Sequence, residues 1–315
     1  MRRTALAAIL LIVIVVQLSA SARPSSQVKV RMFLGPPPRE YWYIYDSEPW
    51  PSHEWRGELR ILVVLVEFPD VPHTVSLDEI REFLNVIADY YYKASYGKFK
   101  PVFVIHEEWI RLPNPSTYYG PGHEVFRKGK AVEYLIDCFY TASMHVDLTE
   151  YTHILFLHSG SLNDMWAFAT SEPYEWPLAG GGTHSAYVCT APSVTSGNLH
   201  PLGVVAHELG HTLGLPDLYD IRCHEGSESE DFVGPWDLMD RGGFLGLPPG
   251  SRPAYFSSWC RLKLGWISSR DVVVVRKGEA KRIRLYPLEK EEGVKIVKIP
   301  LYKDRYYLVE LRLRE

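Results

Sequence analysis

Most of this sequence lacks long apolar runs, closely spaced cysteines and an excess of basic residues. Only residues 5–16, near the N-terminus, form a long unbroken apolar stretch, so we expect no later segment to insert stably into a membrane. The 34 lysines and arginines are outnumbered by 38 aspartates and glutamates, so nucleic acid is not an expected partner. The cysteines include no C-x-x-C pair, which argues against a thiolate zinc site or a redox motif.

The N-terminus has the pattern of a secretory signal peptide. Arg2 and Arg3 precede the apolar run, and Ala20 and Ala22 provide small residues at the positions that a signal peptidase requires. We therefore predict that residues 1–22 are a signal peptide cleaved after Ala22, and that the mature chain is secreted to the extracellular space or cell surface. An uncleaved membrane anchor is the alternative.

The cysteines of an exported chain can form disulfides. Four cysteines allow three pairings, and their spacing does not choose among them. Free buried thiols are the alternative for all four residues, which are Cys138, Cys189, Cys223 and Cys260.

The length and the 46% hydrophobic composition suffice for one large folded domain with a smaller appendage. We predict a main α/β (α+β) domain at residues 59–268 and a small β-rich C-terminal portion at residues 269–315. Residues 23–58 are rich in proline and aromatic residues without periodicity, which indicates an irregular lead-in or a short pro-segment.

Alternating strand and helix patterns predict a mixed sheet layered with helices. Residues 60–68 are a β-branched run, typical of a strand buried on both faces. Ser76 and Glu79 form a capping box ahead of a helix at residues 77–94. Further helices are predicted at residues 125–143, 201–213 and near 255–264. Further strands are predicted at residues 99–105 and 152–158, at an edge strand 184–190, and at four C-terminal runs, 271–275, 281–286, 294–299 and 306–313.

The segment at residues 204–220 (VVAHELGHTLGLPDLYD) carries the chemistry. His207 and His211 are four residues apart, so on a helix their imidazoles project from one face and can hold one zinc ion. Glu208 lies roughly 100° around the helix from His207, where a carboxylate can act on water as a general base without being a ligand.

The residues after the second histidine predict a sharp turn and a third ligand. Gly214 can adopt a left-handed conformation, and Pro216 prevents the helix from continuing. This reversal would bring Asp217 to the same metal and leave one coordination position for water, the arrangement of a catalytic zinc site. A downstream glutamate such as Glu225 is the alternative third ligand.

Further motifs give the sequence a family resemblance. Residues 235–239 (PWDLM) place Met239 in a tight turn after the zinc motif, and residues 90–98 (YYYKASYGK) and 256–267 (FSSWCRLKLGWI) add two more blocks. With H-E-x-x-H-x-x-G-x-x-D, these blocks resemble the immune-inhibitor-A-like secreted zinc metallopeptidases, a metzincin-type family.

The resemblance implies a metzincin-like mixed sheet with an active-site helix. It implies that His207, His211 and Asp217 are the metal ligands and that Glu208 is the catalytic residue. Met239 would form an apolar floor beneath the metal.

The expected activity is zinc-dependent hydrolysis of peptide bonds in proteins or peptides. The predicted edge strand at residues 184–190 could hold an extended substrate by backbone pairing, and Tyr219 and Tyr255 are candidate oxyanion donors, although packing is their more common role. A zinc hydrolase of non-peptide substrates and a secreted, metal-stabilised binding or envelope-associated protein without turnover are the alternatives.

Other polar clusters carry weaker signals. The acidic stretch at residues 225–231 (EGSESED) could bind calcium, with a solvated loop as the alternative. Histidines outside the zinc motif are interpreted as surface or core residues; they are His153, His158, His184, His200 and His224.

Overall fold

The structure, a computed structural model, describes residues 54–122, 124–127, 129–194, 200–219, 232–301 and 305–313. The predicted signal peptide, residues 23–53 of the lead-in, Cys223, His224 and the acidic stretch 225–231 lie outside the described residues. The described chain falls into two compact units, residues 54–267 and residues 268–313, while the predicted domain organisation stays a prediction.

A mixed sheet forms the centre of the first unit, in the order β2-β1-β3-β6-β4. Strands β1, β2, β3 and β6 are parallel, whereas β4 and β5 pair antiparallel with β6. The strands are β1 (Gly57–Glu67), β2 (Phe99–Arg111), β3 (His153–His158), β4 (Phe168–Ala169), β5 (Tyr174–Pro177) and β6 (Thr183–Pro192).

Helices cover the sheet, which confirms the predicted metzincin-like α+β class. They are α1 (Leu77–Ala94), α2 (Ser116–Tyr119), α3 (Glu124–Arg127), α4 (Ala131–Ala142), α5 (Pro201–Thr212) and α6 (Ser258–Lys263). Strand β1 is fully buried from Ile61 onwards, because helices lie on both faces of the sheet. Leu62 and Val64 share one core cluster with Tyr134 and Phe139 of α4.

Helix α1 has the predicted bounds, because the local capping box defines its first turn. The Ser76 side chain accepts a hydrogen bond from the Glu79 N–H, and the Glu79 carboxylate accepts one from the Ser76 N–H at 2.8 Å. The Tyr91 hydroxyl donates to the Ala206 carbonyl at 2.7 Å, so α1 fixes the position of α5.

Two predicted elements of the first unit differ from the structure. The helix expected at residues 125–143 is divided into α3 and α4, because Gly129 adopts φ +66°. The expected edge strand at 184–190 is an inner strand, since β6 pairs with β3 on one side and with β4 and β5 on the other. At residues 189 and 190 this strand is paired on both sides, so the free edge that the predicted backbone pairing with a substrate requires is not present there.

The second unit contains a three-stranded sheet of β7 (Val272–Val274), β8 (Ile296–Pro300) and β9 (Tyr306–Glu310). Strands β7 and β8 are parallel, and β9 is antiparallel to β8. In this unit the strand predicted at residues 281–286 does not form. Pro287, which follows that segment, makes only an isolated bridge with Leu311. Within the described residues, no helix has the length and apolarity needed to cross a membrane.

Candidate metal centre

Helix α5 positions the two histidines of the H-E-x-x-H motif. His200 precedes the helix and accepts a hydrogen bond from the Leu202 N–H at 3.1 Å through Nδ1, while Pro201 occupies the first turn. Val205, Ala206 and Leu209 are buried, so the helix is anchored on the side away from the histidines. The rings of His207 and His211 lie 4.7 Å apart, as expected for residues one helical turn apart.

The chain reverses after α5 and brings Asp217 to the same point. Gly214 adopts φ +90°, and the Leu215 N–H donates to the Gly210 carbonyl at 3.2 Å. Asp217 Oδ1 lies 3.0 Å from His207 Nε2 and 3.3 Å from His211 Nε2. The two Nε2 atoms are 3.1 Å apart. The three side chains that the sequence grouped as one site therefore converge.

Both imidazoles are oriented by backbone carbonyls. His207 Nδ1 donates to the Leu238 carbonyl at 3.0 Å, and His211 Nδ1 donates to the Leu215 carbonyl at 2.7 Å. When a cation occupies the site, a proton on each Nδ1 leaves the lone pair of each Nε2 available to bind it, which is how metal-binding histidines are usually fixed. Two imidazole nitrogens and one carboxylate oxygen around a common centre are a ligand set that can hold a metal ion.

The side chains of the site shift one another's pKa values. Burial raises the pKa of Asp217, but hydrogen bonds from His207 and His211 outweigh it and hold that pKa well below its usual range. Burial lowers the pKa of His207, while Asp217 and Glu208 raise it to about 9. The three groups thus attract one another strongly even without a cation.

Glu208 is nearly inaccessible to solvent and lies beside His207 in the sequence. Burial raises its pKa, against the opposing effect of the charges of His207 and His211. A carboxylate with a raised pKa accepts protons more readily than an exposed one, which suits a general base.

Met239 is fully buried and packs against α5 at Gly210, which lies between the two histidines in the sequence. A Cβ atom on Gly210 would lie 2.7 Å from the Met239 sulfur, so the glycine at this helical position makes room for the methionine. The Met239 carbonyl accepts from the Leu218 N–H at 2.8 Å, next to Asp217 in the chain. The turn at residues 237–239 therefore contacts both the helix and the segment that carries the aspartate.

Sequence reasoning does not find the groups that support the site. The carbonyls of Leu215 and Leu238 belong to the backbone, so the pattern of side chains does not indicate their role. Gly210 is read from the sequence only as a residue that weakens a helix. Asp237 is fully buried and accepts from the Met239 N–H at 2.8 Å. Its position two residues before the turn methionine is the one signal that the sequence offers for it.

The two tyrosines that were proposed as oxyanion donors, Tyr219 and Tyr255, lie in different surroundings. The Tyr219 ring stacks against His207 at 6.3 Å and so lies beside the site. Tyr255 stacks on Tyr90 at 5.2 Å and lies under the guanidinium of Arg261, which is a packing role.

Four further histidines lie where ordinary core or surface histidines would. Each of His153, His158, His184 and His200 bonds a nearby backbone or side-chain group. In the part of the chain that the structure describes, the group able to hold a metal ion consists of the two α5 histidines and Asp217, and none of these four belongs to it.

The described cysteines are buried and are not joined to one another by disulfides; they are Cys138, Cys189 and Cys260. Of the alternatives that the sequence left open, the structure therefore shows no disulfide among these three positions. Burial raises the pKa of Cys138 and of Cys189, so both thiols are poorly reactive.

Comparisons with known proteins agree with the motif. Residues 169–267 match the family model described as immune inhibitor A peptidase M6, catalytic domain, and this range contains the two histidines, the buried glutamate, Asp217 and Met239. The chain is also similar to the Pre-pro-metalloprotease PrtV of two Vibrio cholerae serotype O1 strains, M66-2 and ATCC 39315 / El Tor Inaba N16961. Identity is 42% over 59 residues, which cover 19% of this chain and 6% of each relative. The family resemblance drawn from the sequence is thus confirmed over part of the chain.

Proposed function

We propose that this chain is a secreted zinc-dependent endopeptidase that hydrolyses peptide bonds of proteins. The observation that carries the proposal is the convergence of two imidazole nitrogens and one carboxylate oxygen beside a buried glutamate. The partial similarity to peptidase M6 catalytic domains and to a metalloprotease supports peptides as the substrate class.

In this proposal His207, His211 and Asp217 hold the ion. A zinc ion bound there would polarise both a water molecule and the carbonyl group of a peptide bond. The carbonyls of Leu215 and Leu238 keep both imidazoles in the tautomer that binds a cation.

Glu208 transfers the proton of the attacking water in this proposal. Its carboxylate accepts a proton from the attacking water and then gives it to the nitrogen of the leaving amine. Burial assists the first transfer because it makes the carboxylate a stronger base. Tyr219, whose ring centroid lies 6.3 Å from that of His207, is the candidate donor to the substrate carbonyl oxygen in this proposal.

Export depends on residues 1–22 in this proposal. N-terminal sequencing of the protein recovered outside the cell should begin at Arg23. Recovery of the intact N-terminus in the membrane fraction would support the uncleaved anchor instead.

The role of Glu208 is tested by Glu208→Gln, which keeps size and polarity but removes the base. We expect the purified variant to retain stoichiometric zinc by elemental analysis and to lose at least about 1,000-fold of its cleavage of a peptide library, of the order seen for lost catalytic groups. If the wild-type protein holds zinc and cleaves no peptide, the secreted binding-protein alternative is correct.

The third ligand is tested by comparing two carboxylates. Asp217→Asn should lose bound zinc, because the amide is a far weaker ligand than the carboxylate 3.0 Å from His207 Nε2. Glu225→Gln is the control and should retain it. Loss of zinc in the second variant alone would assign the ligand to Glu225.

A further inference from the structure

Asp237 is a fully buried carboxylate that the proposed reaction does not use. Oδ1 accepts a hydrogen bond from the Met239 N–H at 2.8 Å, and Oδ2 accepts one from the Ser257 N–H at 2.8 Å. The side chains of Ser257 and Cys260 also donate to it. Burying a carboxylate is costly unless its oxygens are well bonded, so this residue has a defined position.

The partner of Asp237 belongs to the same peptide unit that orients His207. The N–H of Met239 and the carbonyl of Leu238 are the two ends of one planar peptide group. The N–H donates to Asp237, and the carbonyl accepts the proton of His207 Nδ1 at 3.0 Å. A carboxylate, a peptide group and an imidazole are therefore hydrogen-bonded in series, and the last atom of the series is the Nε2 that faces Asp217.

Hydrogen bonds in series strengthen one another. A carboxylate on the N–H side of a peptide increases the negative charge on its carbonyl oxygen. A more negative oxygen holds the Nδ1 proton of His207 more firmly and increases the electron density at Nε2. His211 lacks this arrangement, because its Nδ1 donates to the Leu215 carbonyl.

We propose that Asp237 is a positioning residue that sets the metal affinity of the site by fixing and polarising His207 through the Leu238–Met239 peptide. The inference rests on the proposed function only in taking a divalent metal ion as the occupant of the site. The same turn also contacts the residue after the third ligand, Asp217, since the Met239 carbonyl accepts a hydrogen bond from the Leu218 N–H.

Two variants test the proposal. Asp237→Asn removes the charge and keeps one oxygen, and Asp237→Ser keeps a small acceptor for the Met239 N–H without placing an amide against the Ser257 N–H. Asp240→Asn is the matched control. Asp240 is 2% exposed and accepts from the N–H groups of Val233, Gly234 and Arg241, yet these bonds do not include the peptide that binds His207.

The measurement is zinc affinity of the full chain, stripped of metal and titrated in competition with a chelating indicator. Both Asp237 variants should bind zinc about 10- to 100-fold more weakly than the wild type, the usual effect of losing an outer partner of a ligating histidine. The control should stay within about 3-fold, even where its urea midpoint falls by as much as theirs. In histidine-selective NMR the Nδ1 proton of His207 should move upfield in Asp237→Ser, while that of His211 should not.

Zinc affinities of both Asp237 variants within about 3-fold of the wild type, or an equal loss in Asp240→Asn, would overturn the proposal. Peptide cleavage is not measured in this test. A wild-type protein that binds zinc and cleaves nothing would therefore contradict the proposed function and leave this inference standing.

Discussion

At the scale of single residues, Gly210 shows that a helix can require a residue with low helix propensity. In an open helix, Gly to Ala would stabilise by about 1 kcal/mol. Here the new methyl group would meet the buried Met239 sulfur at 2.7 Å. We predict that Gly210→Ala lowers the free energy of unfolding by about 1–3 kcal/mol, measured by urea denaturation of the metal-free protein.

The double variant separates this clash from other effects of Gly210→Ala. Met239→Ala removes the sulfur, so adding it to Gly210→Ala should cost less than the sum of the two single changes. Strict additivity, or a gain in stability from Gly210→Ala alone, would contradict the packing explanation.

At the scale of secondary-structure elements, the turn at the end of α5 determines whether Asp217, the proposed third ligand, lies close to the two histidines. Gly214 has φ +90°, and no atom lies within 4 Å of the position where a Cβ would be. Gly214→Ala therefore introduces backbone strain without a clash, and we expect a loss of about 1–2 kcal/mol in unfolding free energy. Because Asp217 follows the same turn, the altered backbone should also weaken zinc binding.

Gly181 provides the matched control for that turn. It too has φ +90° and open space within 4 Å of the point that a Cβ would occupy, but it lies in the loop between β5 and β6. Gly181→Ala should destabilise the protein to a similar extent and leave zinc affinity unchanged. Equal effects of the two substitutions on zinc affinity would show that the turn at Gly214 does not position Asp217.

Elements with local signals could be predicted from the sequence, and elements that depend on distant partners could not. The bounds of α1 follow from its capping box, and the histidine pair follows from the helical repeat. The place of β6 inside the sheet depends on β4 and β5, which have only two and four residues and no strong pattern. Likewise, the spacing of residues 207–217 predicts the ligands, but the carbonyls that orient them come from backbone geometry alone.

Across the whole molecule, two buried histidines make stability depend on pH. His153 and His158 lie on β3 in the middle of the sheet, and both are almost inaccessible to solvent. Burial lowers the pKa of each from 6.5 to about 4. Between these values the unfolded chain binds more protons than the folded chain, so stability falls as the pH falls from about 6.5 to 4 and no further loss arises from these groups below that window.

The expected size of this effect is about 3 kcal/mol for each histidine, because one pKa unit corresponds to about 1.4 kcal/mol. Urea unfolding of the metal-free protein at several pH values measures it, since chelation removes the separate dependence of metal binding on pH. His158→Asn should remove the contribution of His158 to the slope of unfolding free energy against pH, which is at most about 1.4 kcal/mol per pH unit within this window. Leu157→Ala, a change at its fully buried neighbour, should lower stability at every pH and leave the slope intact. An unchanged slope in His158→Asn would mean that His158 is not kept neutral by burial, and that the acid sensitivity of the fold arises elsewhere.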